Sequence, residues 1–180
     1  MKQRQKITLG GMLVALSMVC MMLTGLLPMA DYALPAAAGI LLIAAVVELG
    51  HRWAALCYLA VALLSFFLAP LKDSALFYAT FLGWYPIWKS VVEGWQKSIP
   101  LEWVIKLLTF NLAVGAGLAA AIWLFQLEAY ADLISAAPLV VAGGAAALNL
   151  VFVIYDMAVS RLAYSYIHWF RPRYLQKIWK

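Results

Sequence analysis

Asn111, Asn149 and Asp156 are polar residues standing inside apolar runs. Side-chain amides in such runs either hydrogen-bond to each other or turn toward a ligand. A carboxylate there needs a cation, because an unpaired charge away from water is costly. Lys89, Glu93, Glu102, Lys106 and Arg161 lie at the margins of the same runs, with Glu48 at a similar depth. Two readings are open: ion pairs that tie segment ends together, or a contact surface for a partner, formed by Lys89, Glu93, Lys106, Asp156 and Arg161. A second group, at the opposite ends of the runs, mixes acids with aromatics: Asp31, Tyr32, Asp73, Tyr78, Trp123, Glu128, Tyr130 and Asp132. It reads either as ordinary loop and interfacial residues or as the mouth of a small-molecule pocket. A few polar groups in an apolar concavity suffice for such a pocket.

Covalent chemistry has no visible carrier. The chain lacks a His-Glu-x-x-His pair, a phosphate-binding Gly-rich loop, a Cys-x-x-Cys pair, and a serine with a plausible base in an apolar run. No enzyme activity, cofactor or metal is therefore expected. Cys20 and Cys57 are isolated among apolar neighbours and read as small hydrophobes.

The elements that must position these residues are set by composition. Of 180 residues 67% are hydrophobic and only 12% charged, with a mean hydropathy of +0.91. Soluble domains carry about 25% charged residues, and eight acids with thirteen bases can scarcely cover a globular surface. The expected class is an all-α, polytopic membrane protein forming one domain, a bundle of six transmembrane helices. The expected spans are residues 7–28, 34–50, 53–69, 74–93, 101–127 and 137–160, with 161–180 as an interfacial tail. The first run is too long for a secretory signal core of about 7 to 15 residues and is expected to be retained. The second and third are short, so they either cross a thinned region or form a tight pair. The fourth contains Pro86 and ends in "GWYPIWKSVVEGW", whose Trp84, Tyr85, Trp88 and Trp95 suit a membrane interface, with Lys89 snorkelling from the last turns.

The formal charge of +5 suggests nucleic acid less than orientation, because the bases sit at the chain ends and at the margins of apolar runs. With both termini cytoplasmic, every base but Lys72 of the thirteen falls on the cytoplasmic side of a plasma or inner membrane. Small residues four apart, at Gly11 and Ala15, at Ala113, Gly117 and Ala121, and at Gly143 and Ala147, mark faces where helices can approach closely.

Six spans in 180 residues, the basic N-terminus, the Gly11 to Ala15 step and the loop "LPMADYALP" running into "AAAG" resemble the substrate-binding S components of energy-coupling-factor vitamin transporters. The resemblance implies that Gly11 and Ala15 face a transmembrane coupling subunit driven by two cytoplasmic ATPases. It also implies that Asp31, Tyr32, Tyr78, Phe81, Trp123, Glu128 and Asn149 line an extracellular pocket for a vitamin-like or other scarce solute. Two other classes fit the same composition: a scaffold protein of the cell envelope whose charged inner face recruits partners, and a protein that handles membrane lipid.

Overall fold

The computed structural model describes residues 3–27, 30–95, 98–123 and 138–175, all helical or connecting. The first helix, α1, spans Gln3–Leu23 and carries no charge after Lys6. It packs against α2, Ala33–Leu49, which runs back along it: Ser17 Oγ donates to the Ala38 carbonyl at 3.2 Å, and Gly10 faces Leu49. A single residue, Gly50, then turns the chain into α3, His51–Leu68. Its φ of 88° is a left-handed conformation that side chains with a Cβ rarely adopt, so glycine is required there. Met21, Ala38, Leu42, Ala45, Ala54 and Val61 fill the seam of these three helices and are fully buried.

The next segment is broken. Helix α4, Lys72–Phe77, passes into a π-helical turn at Tyr78–Leu82, and a new helix, α5, runs over Tyr85–Gly94. Proline has no N–H, so Pro86 cannot donate to the Leu82 carbonyl one turn earlier. The wider turn is closed by Gly83 N–H donating to the Tyr78 carbonyl at 2.8 Å. Carbonyls of this turn are then satisfied from the side: Tyr58 donates to Ala79 at 2.6 Å, Trp84 Nε1 to Thr80 at 2.7 Å, and Tyr155 to Leu82 at 3.3 Å. Irregular backbone inside a membrane bundle is tolerated only when sealed in this way. Gly39 of α2 completes the seal, because a Cβ at that position would collide with the Leu82 carbonyl oxygen.

Helix α6, Ile99–Trp123, lays Ala113, Gly117 and Ala121 toward the broken segment; a Cβ at Gly117 would meet Thr80 Oγ1 at 3.2 Å. Helix α7, Pro138–Ser165, continues into a second π-helical stretch, Tyr166–Leu175. Its first half, Leu139 to Leu148, is exposed throughout, including Gly143 and Ala147, and among the described residues nothing lies within 4 Å of a Cβ at Gly143. Its second half packs through Phe152, Asp156 and Val159.

The expected bundle of six transmembrane helices is corrected to four. Among the described residues, four helical stretches are long and apolar enough to cross a membrane: Gln3–Leu23, His51–Leu68, Ile99–Trp123 and Leu139–Arg173. Helix α2 has 17 residues. At about 1.5 Å per residue that is some 25 Å, short of a hydrocarbon core of about 30 Å. The expected span 74–93 fails for a different reason, because Pro86 and the π turn divide it into pieces too short to cross alone. The last span is longer than expected and takes in much of the presumed tail. The chain remains an all-α, multi-span membrane protein.

Candidate functional site

On α5, Tyr85, Lys89 and Glu93 follow one another at one-turn spacing and so share a face. That face meets Lys106 on α6 and Asp156 on α7. Asp156 Oδ1 accepts from both the Tyr85 hydroxyl and the Lys89 ammonium, and Lys106 Nζ stands 3.5 Å from the same oxygen. Glu93 Oε1 closes the circuit, 2.8 Å from Lys89 Nζ and 2.7 Å from Lys106 Nζ. Lys89, Lys106 and Asp156 retain only 3%, 4% and 3% of their exposure, while the Glu93 side chain keeps 42%. Two ammonium groups and two carboxylates leave no formal charge over, which is how four ionisable groups can sit among spanning helices.

Packed against this cluster is an aromatic layer. Phe81, from the π turn, lies 4.7 Å from Tyr85 and edge-on to Phe110 at 5.0 Å, and Phe110 stacks on Phe152 at 4.5 Å with an 11° tilt between planes. The Lys106 ammonium stands 5.5 Å over the Trp103 ring. The cluster therefore welds α5, α6 and α7 together near one end of the bundle. His51, whose Nε2 lies 2.9 Å from Ser90 Oγ, marks the same end. Buried Glu48 is 2.9 Å from Arg171 Nε, which ties the second π-helical stretch to the end of α2. Among the described residues no group of three or more His, Cys, Asp or Glu side chains could hold a metal.

The residues expected to form a contact surface thus divide. Lys89, Lys106 and Asp156 are consumed internally; Glu93 is half-exposed, and Arg161 lies on the exposed side of α7 rather than beside Asp156. Lys89 does not snorkel, since its ammonium is buried on Asp156. Gly11 and Ala15 are exposed, with nothing within 4 Å of a Cβ at Gly11; it is the neighbouring Gly10 that faces the bundle.

The residues expected to line a pocket lie in several places. The Asp31 carbonyl accepts from Ser74 Oγ at 2.8 Å, and its Oδ1 is a buried acceptor without a hydrogen-bond donor among the described residues. Tyr32 is 59% exposed and edge-on to Phe77 at 5.0 Å. Tyr78 is fully buried beside Tyr58, Phe81 belongs to the aromatic layer, and Trp123 is 84% exposed at the end of α6. Glu128 lies outside the described residues. Asn149 and Asn111 form a reciprocal amide pair at 2.9 and 3.2 Å, and each also donates to the carbonyl one turn earlier, at Ala145 and Leu107. Of the two roles open to these amides, the structure shows the mutual one.

Sequence reasoning assigned Tyr85 to the membrane interface and missed it as a partner of Asp156. The available signal was its one-turn spacing from Lys89. Tyr58 and Tyr155 carried no such signal, since what they serve are backbone carbonyls on another element, Ala79 bypassed by the π turn and Leu82 left without a donor by Pro86. Set against known proteins, the chain matches no family, no curated protein and no solved structure.

Proposed function

We propose that the chain is a non-enzymatic membrane transport subunit that binds a small solute, vitamin-like or another micronutrient, from the extracellular side. In this reading a transmembrane coupling subunit and two cytoplasmic ATPases supply the energy, as for the S components it resembles. The observation that carries the proposal is the helix broken at Tyr78–Trp84 between spanning helices and sealed by Tyr58, Trp84 and Tyr155. Transport proteins place broken helices where a substrate or a moving element must be accommodated, whereas a passive span gains nothing from the interruption. The exposed first half of α7 supports the same reading, as among the described residues it is left uncovered next to the Asn111–Asn149 pair. Both amide nitrogens of that pair are spent as donors, so a solute there would meet acceptor oxygens. The exposed Gly11–Ala15 face of α1 suits close approach by a coupling subunit.

Orientation follows from charge. In this reading both termini are cytoplasmic, supported by the bases Lys6, Arg52 and Arg171 gathered at one end of the bundle. A scaffold role is less well supported, because the lysines that would form its recruiting face are buried on Asp156 and Glu93.

Native mass spectrometry of the gently extracted protein tests the proposal. A defined small solute or a stoichiometric coupling subunit is expected. Recovery with cell-wall or division proteins and no solute would replace the transport reading with the scaffold one.

A further inference from the structure

We infer that the concavity between the start of α1 and the α2–α3 turn is a site for the phosphate of an anionic membrane phospholipid. This cavity, of about 430 Å³, is lined by Lys6, Leu49, Gly50, His51, Arg52 and Trp53. Its volume falls within the range of about 300 to 1,000 Å³ common to small-ligand sites, and its chemistry is one-sided. Lys6 and Arg52 bring two cations from separate helices, and no carboxylate is among the described lining residues. The nearest acid in sequence, Glu48, is engaged 2.9 Å from Arg171 Nε and does not neutralise them. The α3 N-terminus has no side-chain cap, which leaves its first amides as further donors at the cavity's edge.

Position selects a lipid over a free anion. Lys6 and Arg52 stand in the opening turns of two of the four helices long and apolar enough to span, and it is the ends of such helices that meet lipid headgroups. Leu49 and Trp53 give the cavity an apolar side, and tryptophan is favoured at that depth. Basic pockets between spanning helices recognise anionic headgroups through the same combination. His51 is tethered to Ser90 of α5 at 2.9 Å, so an occupied cavity would also brace the end of α5 that carries Lys89 and Glu93.

Native mass spectrometry in mild detergent can measure the preference for phosphatidylglycerol over phosphatidylcholine of equal chain length. The wild-type chain is expected to retain phosphatidylglycerol. Each of Lys6→Gln and Arg52→Gln should lower the preference about five-fold and the pair about thirty-fold, while Lys6→Arg with Arg52→Lys keeps it. Arg4→Gln with Arg173→Gln removes the same net charge away from the cavity and should change the preference less than about two-fold. Equal retention of the two lipids by the wild type, or an equal loss in that control, would overturn the inference. Displacement of bound phosphatidylglycerol by millimolar inorganic phosphate would assign the cavity to a free anion instead. Should the double glutamine variant not fold, Arg52→Gln alone, at an exposed position, carries the test.

Discussion

Asp156 is one carboxylate that accepts from Tyr85 and Lys89 and pairs with the Lys106 ammonium, and its loss is more damaging than the loss of any single contact. In Asp156→Asn the Lys89 and Lys106 ammonium groups stay buried with only Glu93 between them. Breaking a buried ion pair on one side costs about 3 to 5 kcal/mol, and thermal or denaturant unfolding in detergent should show a loss of that order. Glu93→Gln, at a half-exposed position, should cost clearly less. If the two variants unfold alike, the cluster does not distribute charge as the distances imply. These residues were only partly legible in sequence. Lys89, Glu93, Lys106 and Asp156 stood out because ionisable groups are rare in the chain, but charge alone could not tell an internal cluster from an outward face. The choice depends on which way α5 is rotated, and the break before it sets that rotation.

At the scale of elements, the broken segment owes its form to Pro86, and the Tyr155 hydroxyl compensates for what Pro86 removes. This gives a coupled prediction. Tyr155→Phe should cost about 1 kcal/mol in the natural chain, the usual net worth of a hydrogen bond. In a Pro86→Ala background, residue 86 supplies its own N–H to Leu82 and the cost should fall toward zero. A double-mutant cycle on unfolding measures this coupling, and strict additivity would show that Tyr155 and Pro86 act independently. Hydropathy could locate apolar runs, but it could not show that Ala33–Leu49 is too short or that a proline near the end of a run would split it. Boundaries of the uninterrupted helices were closer to legible. Charges and glycines punctuate them, as at Gly50, whereas a π turn leaves no comparable mark in composition.

For the whole molecule, the testable property is sidedness. In a background with Cys20 and Cys57 replaced, single cysteines at positions 2 and 178 should resist a membrane-impermeant thiol reagent in intact cells. A cysteine at position 32, where Tyr32 is exposed at the end opposite Lys6, should react. Labelling at position 2 with protection at position 32 would invert the chain. The class was legible at this scale because a chain of this apolarity has no other way to cover itself. The number of crossings was not, because counting runs treats every one as a straight rod.

The balance of Lys89, Lys106, Glu93 and Asp156 carries an electrical consequence. A single charge moved across the full field of an energised membrane exchanges about 2.3 kcal/mol for each 100 mV. A group of two cations and two anions exchanges none if it travels as one body. Helices carrying this cluster can therefore rock or tilt without working for or against the membrane potential. If the proposed transport role holds, the part of solute uptake limited by movement of these helices should take no voltage dependence from this cluster. An Asp156→Asn variant that still assembles would carry one surplus positive charge, and its uptake should acquire a voltage dependence measurable in potassium–valinomycin-clamped vesicles. If the natural chain showed the same dependence, the charges would not be moving together.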